Sequence, residues 1–268
     1  MNKDKIQNHL KELFEYYCTY DNSIRDNNIK IYTRIVESIY EAILKFDLTE
    51  SEIEQVEKSK QYLDNQTGHI LCPNKNRDNF VILINENRYD KESLYIQTLF
   101  HELTHVIDYY RFVQKYCDGN YDEIDMQSEQ SIFLYWTEYN AKKVGYKLYM
   151  QYMFENCEFG INDCKIAEYM KTIELEKENN NIIQNLRYYN NDLFMQKYFV
   201  MHYLAIYSVW EDVDKKYFEN GSKFPFGLVF ACNGKIYNLY NLIKRINSFE
   251  IFIFEKENLE KRLNDITN

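Results

Sequence analysis

Seven glycines and two prolines are the only residues of lowest helix propensity in a chain of 268. These two residue types are the strongest punctuation marks of regular structure. With so few, the chain has little choice but to run in long helices. Apolar positions recur at helical spacing over 3–18 and 24–46, where Ile31, Ile35, Ile39 and Ile43 share one stripe. Thr49, with Glu52 three residues on, reads as a capping box opening a third helix to about Leu63. The period then changes. Residues 68–72 and 79–84 are short, rich in Ile and Val, and bounded by Asn, Asp and Pro, as strands are. Phe80-Val81-Ile82-Leu83-Ile84 is apolar throughout, the pattern of a strand covered on both faces.

Helical spacing resumes at 91–116, with Asp90 as a plausible N-cap, and continues over 127–155, 163–188 and 191–218. Residues 225–246 carry two signals. Asn233-Gly234 between apolar runs suggests a hairpin, whereas Val229, Ile236, Tyr240 and Ile243 keep a helical period, and helix is preferred. A last amphipathic helix is expected over 249–264. The fold class that follows is mainly α (α+β), a multi-helix arrangement with a small β-sheet before the helix at 91–116.

Composition excludes several classes. With 45% hydrophobic and 17% aromatic residues, a large core is available and disorder is not expected. The net charge of −10 disfavours nucleic-acid binding, because an acidic surface repels phosphates. The nearest cysteines, Cys157 and Cys164, are not spaced as a zinc ribbon. The first residues lack the apolar stretch of a signal peptide, and no uncharged run is long enough for a membrane span. A cytoplasmic protein with reduced thiols is the expectation.

Chemistry concentrates at His101-Glu102-Leu103-Thr104-His105. Residues four apart on a helix stack on one face, so two imidazoles can share one Zn²⁺ there. Glu102, beside the first of them, is placed to act as general base on water. Leu99, Phe100, Leu103, Thr104, Val106 and Ile107 are uncharged and do not compete for the ion. A catalytic zinc needs a third protein ligand. Counting back along two antiparallel helices puts Glu138 level with His105. Asp108 and Glu129 are the alternatives; Asp108 suits the orientation of an imidazole better than ligation. An oxyanion also needs a donor. His202 is the candidate, followed by Tyr203 and, at a strand start, His69. His9 reads as a surface residue.

These residues resemble the gluzincin branch of the zincin metallopeptidases. Residues 101–105 are spelled as in thermolysin, and Glu138-Tyr139-Asn140-Ala141 is similar to the Glu-x-x-Ala of small repressor-cleaving metallopeptidases. The resemblance spans about residues 65–142. It implies a zincin-like domain in which His101, His105 and Glu138 bind Zn²⁺ and Glu102 activates water to hydrolyse a peptide or protein substrate. It also suggests edge pairing with substrate for the strand at 79–84, while the apolar character of that strand fits a central position as well. Lys142 stands four residues after Glu138, where thermolysin has Asp. The expected organisation is residues 1–156, holding the catalytic core, and a helical lobe, 157–268, packed on it as one catalytic unit. A different class of reading is a non-catalytic helical interaction protein that retains such a metal site.

Overall fold

A computed structural model describes residues 3–88, 93–155, 174–217 and 223–267. It is mostly helical with one small sheet. The chain divides into two compact units, Met1–Ser128 and Glu129–Asn268. The division falls before the helix that carries Glu138, upstream of the expected boundary at 156/157, because that helix packs chiefly on later helices.

In the first unit, α1 (Lys3–Tyr20) and the short α2 (Ser23–Asp26) precede β1 (Ile31–Val36). The strand replaces much of the helix expected over 24–46. Ile31 and Ile35 are four apart, a spacing that serves a period of two as well as one of 3.6. The β-branched and aromatic run Ile31-Tyr32-Thr33-Arg34-Ile35-Val36 resolves the ambiguity toward strand. Asn28, at φ 51°, makes the turn into it. Then come α3 (Ile39–Ile43), α4 (Glu50–Lys58) and α5 (Lys60–Leu63). The Thr49–Glu52 capping box is present in both directions. The helix it opens is broken at Ser59.

β2 (Gly68–Leu71) and β3 (Phe80–Asn85) complete a sheet of order β1-β3-β2, with β1 parallel and β2 antiparallel to β3. β3 is therefore central, as its apolar character suggests, and of the two placements open for residues 79–84 the edge is the one not taken. Every one of its residues is buried. On one face Val81, Leu83 and Leu71 join Ile39, Ile43, Val56 and Leu63 in a core. The other face receives α6 (Ser93–Tyr116), which also packs against α1. The proposed N-cap, Asp90, lies outside the described residues.

In the second unit, α7 (Gln130–Glu155) packs along α9 (Leu193–Tyr217), with α8 (Glu176–Tyr188) against α9 as well. The part of the helix expected at 163–173 lies outside the described residues. Residues 225–246 form α10 (Phe226–Ala231) and α11 (Ile236–Ile243). Asn233-Gly234 is a turn, as its sequence signals, but it joins two helices. Asn233 (φ 49°) and Gly234 (φ 73°) are left-handed, and the Gly234 N–H donates to the Val229 carbonyl at 2.8 Å, a Schellman-type helix end. α12 (Phe249–Asp265), capped by Ser248, packs on α7, where Phe252 stacks on Trp136 with centroids 4.7 Å apart.

Candidate metal centre

α6 is long and nearly all of its central residues are buried. Leu99, Phe100, Leu103, Val106 and Ile107 fill the core, and this leaves His101 on the helix face that reaches solvent while His105 is 4% exposed. The two imidazoles meet edge to face, centroids 4.5 Å apart at 87°, with their Nε2 atoms 3.0 Å from one another. Two neutral imidazoles cannot both point lone pairs into so short a gap without a shared proton or cation. The separation is close to the edge of about 3.4 Å that two ligands span on a tetrahedral ion with bonds of about 2.0–2.1 Å.

A carboxylate oxygen of Glu138 joins them: one ligand atom from each of His101, His105 and Glu138 lies within 4.8 Å of the others. Among the described residues this is the group with metal-holding spacing, and neither Asp108 nor Glu129 belongs to it. Glu129 instead accepts from the Lys256 ammonium at 2.8 Å. Asp108 is buried, and its charge acts on Tyr17 and Tyr20 of α1.

Glu102 is 6% exposed. Its carboxylate lies over β2, where Gly68 makes room for it. A Cβ at position 68 would stand 2.7 Å from Glu102 Oε1 and 2.4 Å from Thr98 Cγ2. In the sequence Gly68 reads only as the start of a strand. The free space depends on which helix lies above it, and only the fold supplies that. One turn along α6, Thr104 donates to the Phe100 carbonyl at 2.8 Å, and its hydroxyl meets the Tyr17 hydroxyl at 3.0 Å. Burial, reinforced by the charges of Asp21 and Asp108, holds the Tyr17 phenol well above its ordinary pKa, so it stays a neutral hydrogen-bonding strut between α1 and α6.

His202 of α9 turns its Nε2 to Glu138 Oε2 at 2.7 Å, and Tyr198 covers its ring at a centroid distance of 4.2 Å. The side chain anticipated as an oxyanion donor thus holds one oxygen of the candidate ligand. Tyr203 donates to Asn179 Oδ1 at 2.7 Å and is committed there. His69 pairs with Leu83 in register, on the sheet face away from α6. Its Nδ1 is 3.0 Å from Gln66 Oε1, and burial lowers its pKa to about 4. His9, read as a surface residue, is half-buried with Nδ1 against the Tyr95 hydroxyl.

What the residues can do follows from their types. Two imidazole nitrogens and a carboxylate suit a borderline ion such as zinc, and the buried Glu102 carboxylate, on the same helix as the two imidazoles, is a group of the type that accepts and returns a proton. In comparisons with family models, curated proteins and solved structures nothing matches this chain, so the geometry of these side chains carries the functional argument.

Proposed function

We propose that the chain is a zinc-dependent metallopeptidase of the gluzincin type, with His101, His105 and Glu138 as ligands and Glu102 as general base. The observation that carries this reading is the convergence, within 4.8 Å, of ligand nitrogens from His101 and His105 on α6, the helix that also bears Glu102, with a carboxylate oxygen of Glu138 on α7. Zinc held there supplies Lewis acidity and makes a water more acidic. Glu102 Oε1 or Oε2 takes the proton from the attacking water and passes it to the departing amine nitrogen. Its burial and its seat over Gly68, which restrict the carboxylate's motion, support that role. His202 keeps Glu138 oriented through Oε2, leaving the other oxygen for ligation.

β2 is an edge strand of the sheet, and Gly68 in it abuts Glu102. An extended peptide that adds to β2 brings its own backbone alongside the general base. Peptide recognition by strand addition is therefore assigned to β2.

The test is Glu102→Gln in the full chain. Zinc content by mass spectrometry stays at one per chain, while cleavage of a proteome-derived peptide mixture falls by three orders of magnitude or more, about 4 kcal/mol of barrier. Equal cleavage by both proteins would remove Glu102 from the chemistry. A second reading, an interaction protein that keeps a metal site, draws on Phe226 and Phe230, stacked on α10 and respectively 83% and 74% exposed. It predicts bound zinc with no cleavage by either form. Among the described residues, no helix is long and apolar enough to cross a membrane.

A further inference from the structure

The second unit contains a cavity of about 350 Å³ between α7, α8 and α9. That is the lower end of the range for small-molecule sites. Its wall includes Lys142 from α7, Glu178 and Asn181 from α8, and Phe199, His202 and Ile206 from α9. One cation and one carboxylate thus face the same space from different helices. Among the described residues they form no ion pair with each other.

That is an unusual arrangement for a half-enclosed site. Burial lowers the Lys142 pKa, the charge of Glu178 being the largest influence against that shift. An enclosed ammonium and carboxylate normally close up on each other, since each loses water and regains it only through a partner. The neighbouring carboxylates are already engaged. Glu138 meets His202 at 2.7 Å, and Glu174 accepts from the Tyr146 hydroxyl at 3.3 Å. Beside the two charges, Phe199 and Ile206 offer an apolar wall, and Asn181 adds an amide.

We propose that this cavity binds a free α-amino acid with an apolar side chain, its carboxylate paired to Lys142 and its ammonium to Glu178. A zwitterion is the small-molecule class that satisfies both charges at once while keeping the cavity neutral. A simple anion would leave Glu178 facing it, and a simple cation would leave Lys142 facing it. Phe199 and Ile206 select an apolar side chain over a polar one. The ligand also touches His202, which holds Glu138. The proposal does not depend on peptidase activity, since binding alone is at issue.

The experiment is isothermal titration of the zinc-supplemented full chain with L-leucine, and with N-acetyl-leucine, leucinamide and L-aspartate as probes. Leucine is expected to bind about tenfold or more tightly than each of the other three, the size expected for one lost charge-assisted contact. Lys142→Met should abolish the advantage of leucine over leucinamide, and Glu178→Gln its advantage over N-acetyl-leucine. Lys142→Arg, with a native circular-dichroism spectrum, should retain leucine binding and thereby separate loss of charge from loss of fold. Binding of N-acetyl-leucine as tight as that of leucine would make this a carboxylate pocket and overturn the proposal. No heat with any probe at millimolar concentrations would overturn it too. Neither result touches the peptidase reading, which the Glu102→Gln comparison decides separately.

Discussion

Gly68 has no side chain, and that absence is what lets Glu102 settle against β2. A methyl group there meets Glu102 Oε1 and Thr98 Cγ2 at distances that real Cβ atoms do not tolerate. Gly68→Ala is expected to leave zinc content unchanged, since it touches none of the three candidate ligands, and to lower turnover by about ten- to hundredfold through a displaced base. A zinc assay beside a cleavage assay separates the two effects, and unchanged turnover would show that Glu102 does not need its seat. His202→Ala acts on the candidate ligand Glu138 instead. Loss of a group that orients a ligand weakens metal affinity by about ten- to a hundredfold, measurable by competition with a chelating dye. At this scale the sequence was most legible where chemistry is written in local spacing. His101 and His105 are four apart on one helix, so their convergence follows from a 3.6-residue period. Gly68 and the His202–Glu138 contact rest on side chains brought together from distant parts of the chain, and no local pattern announces them.

At the scale of elements, pattern failed where two periods coincide. The isoleucine stripe from Ile31 to Ile43 satisfies a helix in its i, i+4 steps, yet its first half is a strand and only its second half a helix. Capping chemistry transmitted better. Thr49 and Glu52 form the reciprocal bonds their spacing implies, and Thr49→Ala should cost about 1 kcal/mol in urea unfolding. The sheet also sets a pH dependence. His69 sits on β2 with a pKa near 4 in the fold, against 6.5 when exposed. Between those values the unfolded chain takes up a proton that the native imidazole refuses. Stability from this group is therefore complete above pH 6.5 and declines as pH falls toward 4, by on the order of 1–3 kcal/mol. The difference between wild type and His69→Gln in urea midpoints, followed from pH 7 to pH 5, should narrow with acidification. A constant difference would mean that His69 titrates normally.

For the whole molecule, the partition is at Ser128, and α7 belongs with the helices that follow it. The sequence placed that boundary later because nothing in the polar link 118–123 distinguishes a unit boundary from an ordinary turn, whereas the packing of α7 on α9 decides it. Zinc should raise stability by mass action. At a free concentration a thousandfold above Kd the gain is about 4 kcal/mol, seen as a higher melting temperature that Glu138→Ala largely removes. No shift with zinc in wild type would leave the metal reading without support.

The two tryptophans of the chain, Trp136 and Trp210, are both fully buried and both lie in the second unit. Indole emission is thus a private optical channel for that half of the molecule, while the first unit can be followed only through tyrosine and backbone signals. Denaturant curves recorded by indole emission and by far-ultraviolet dichroism will superimpose if the chain melts as one cooperative body. If they separate, the offset measures how independently the half bearing His101 and His105 holds together.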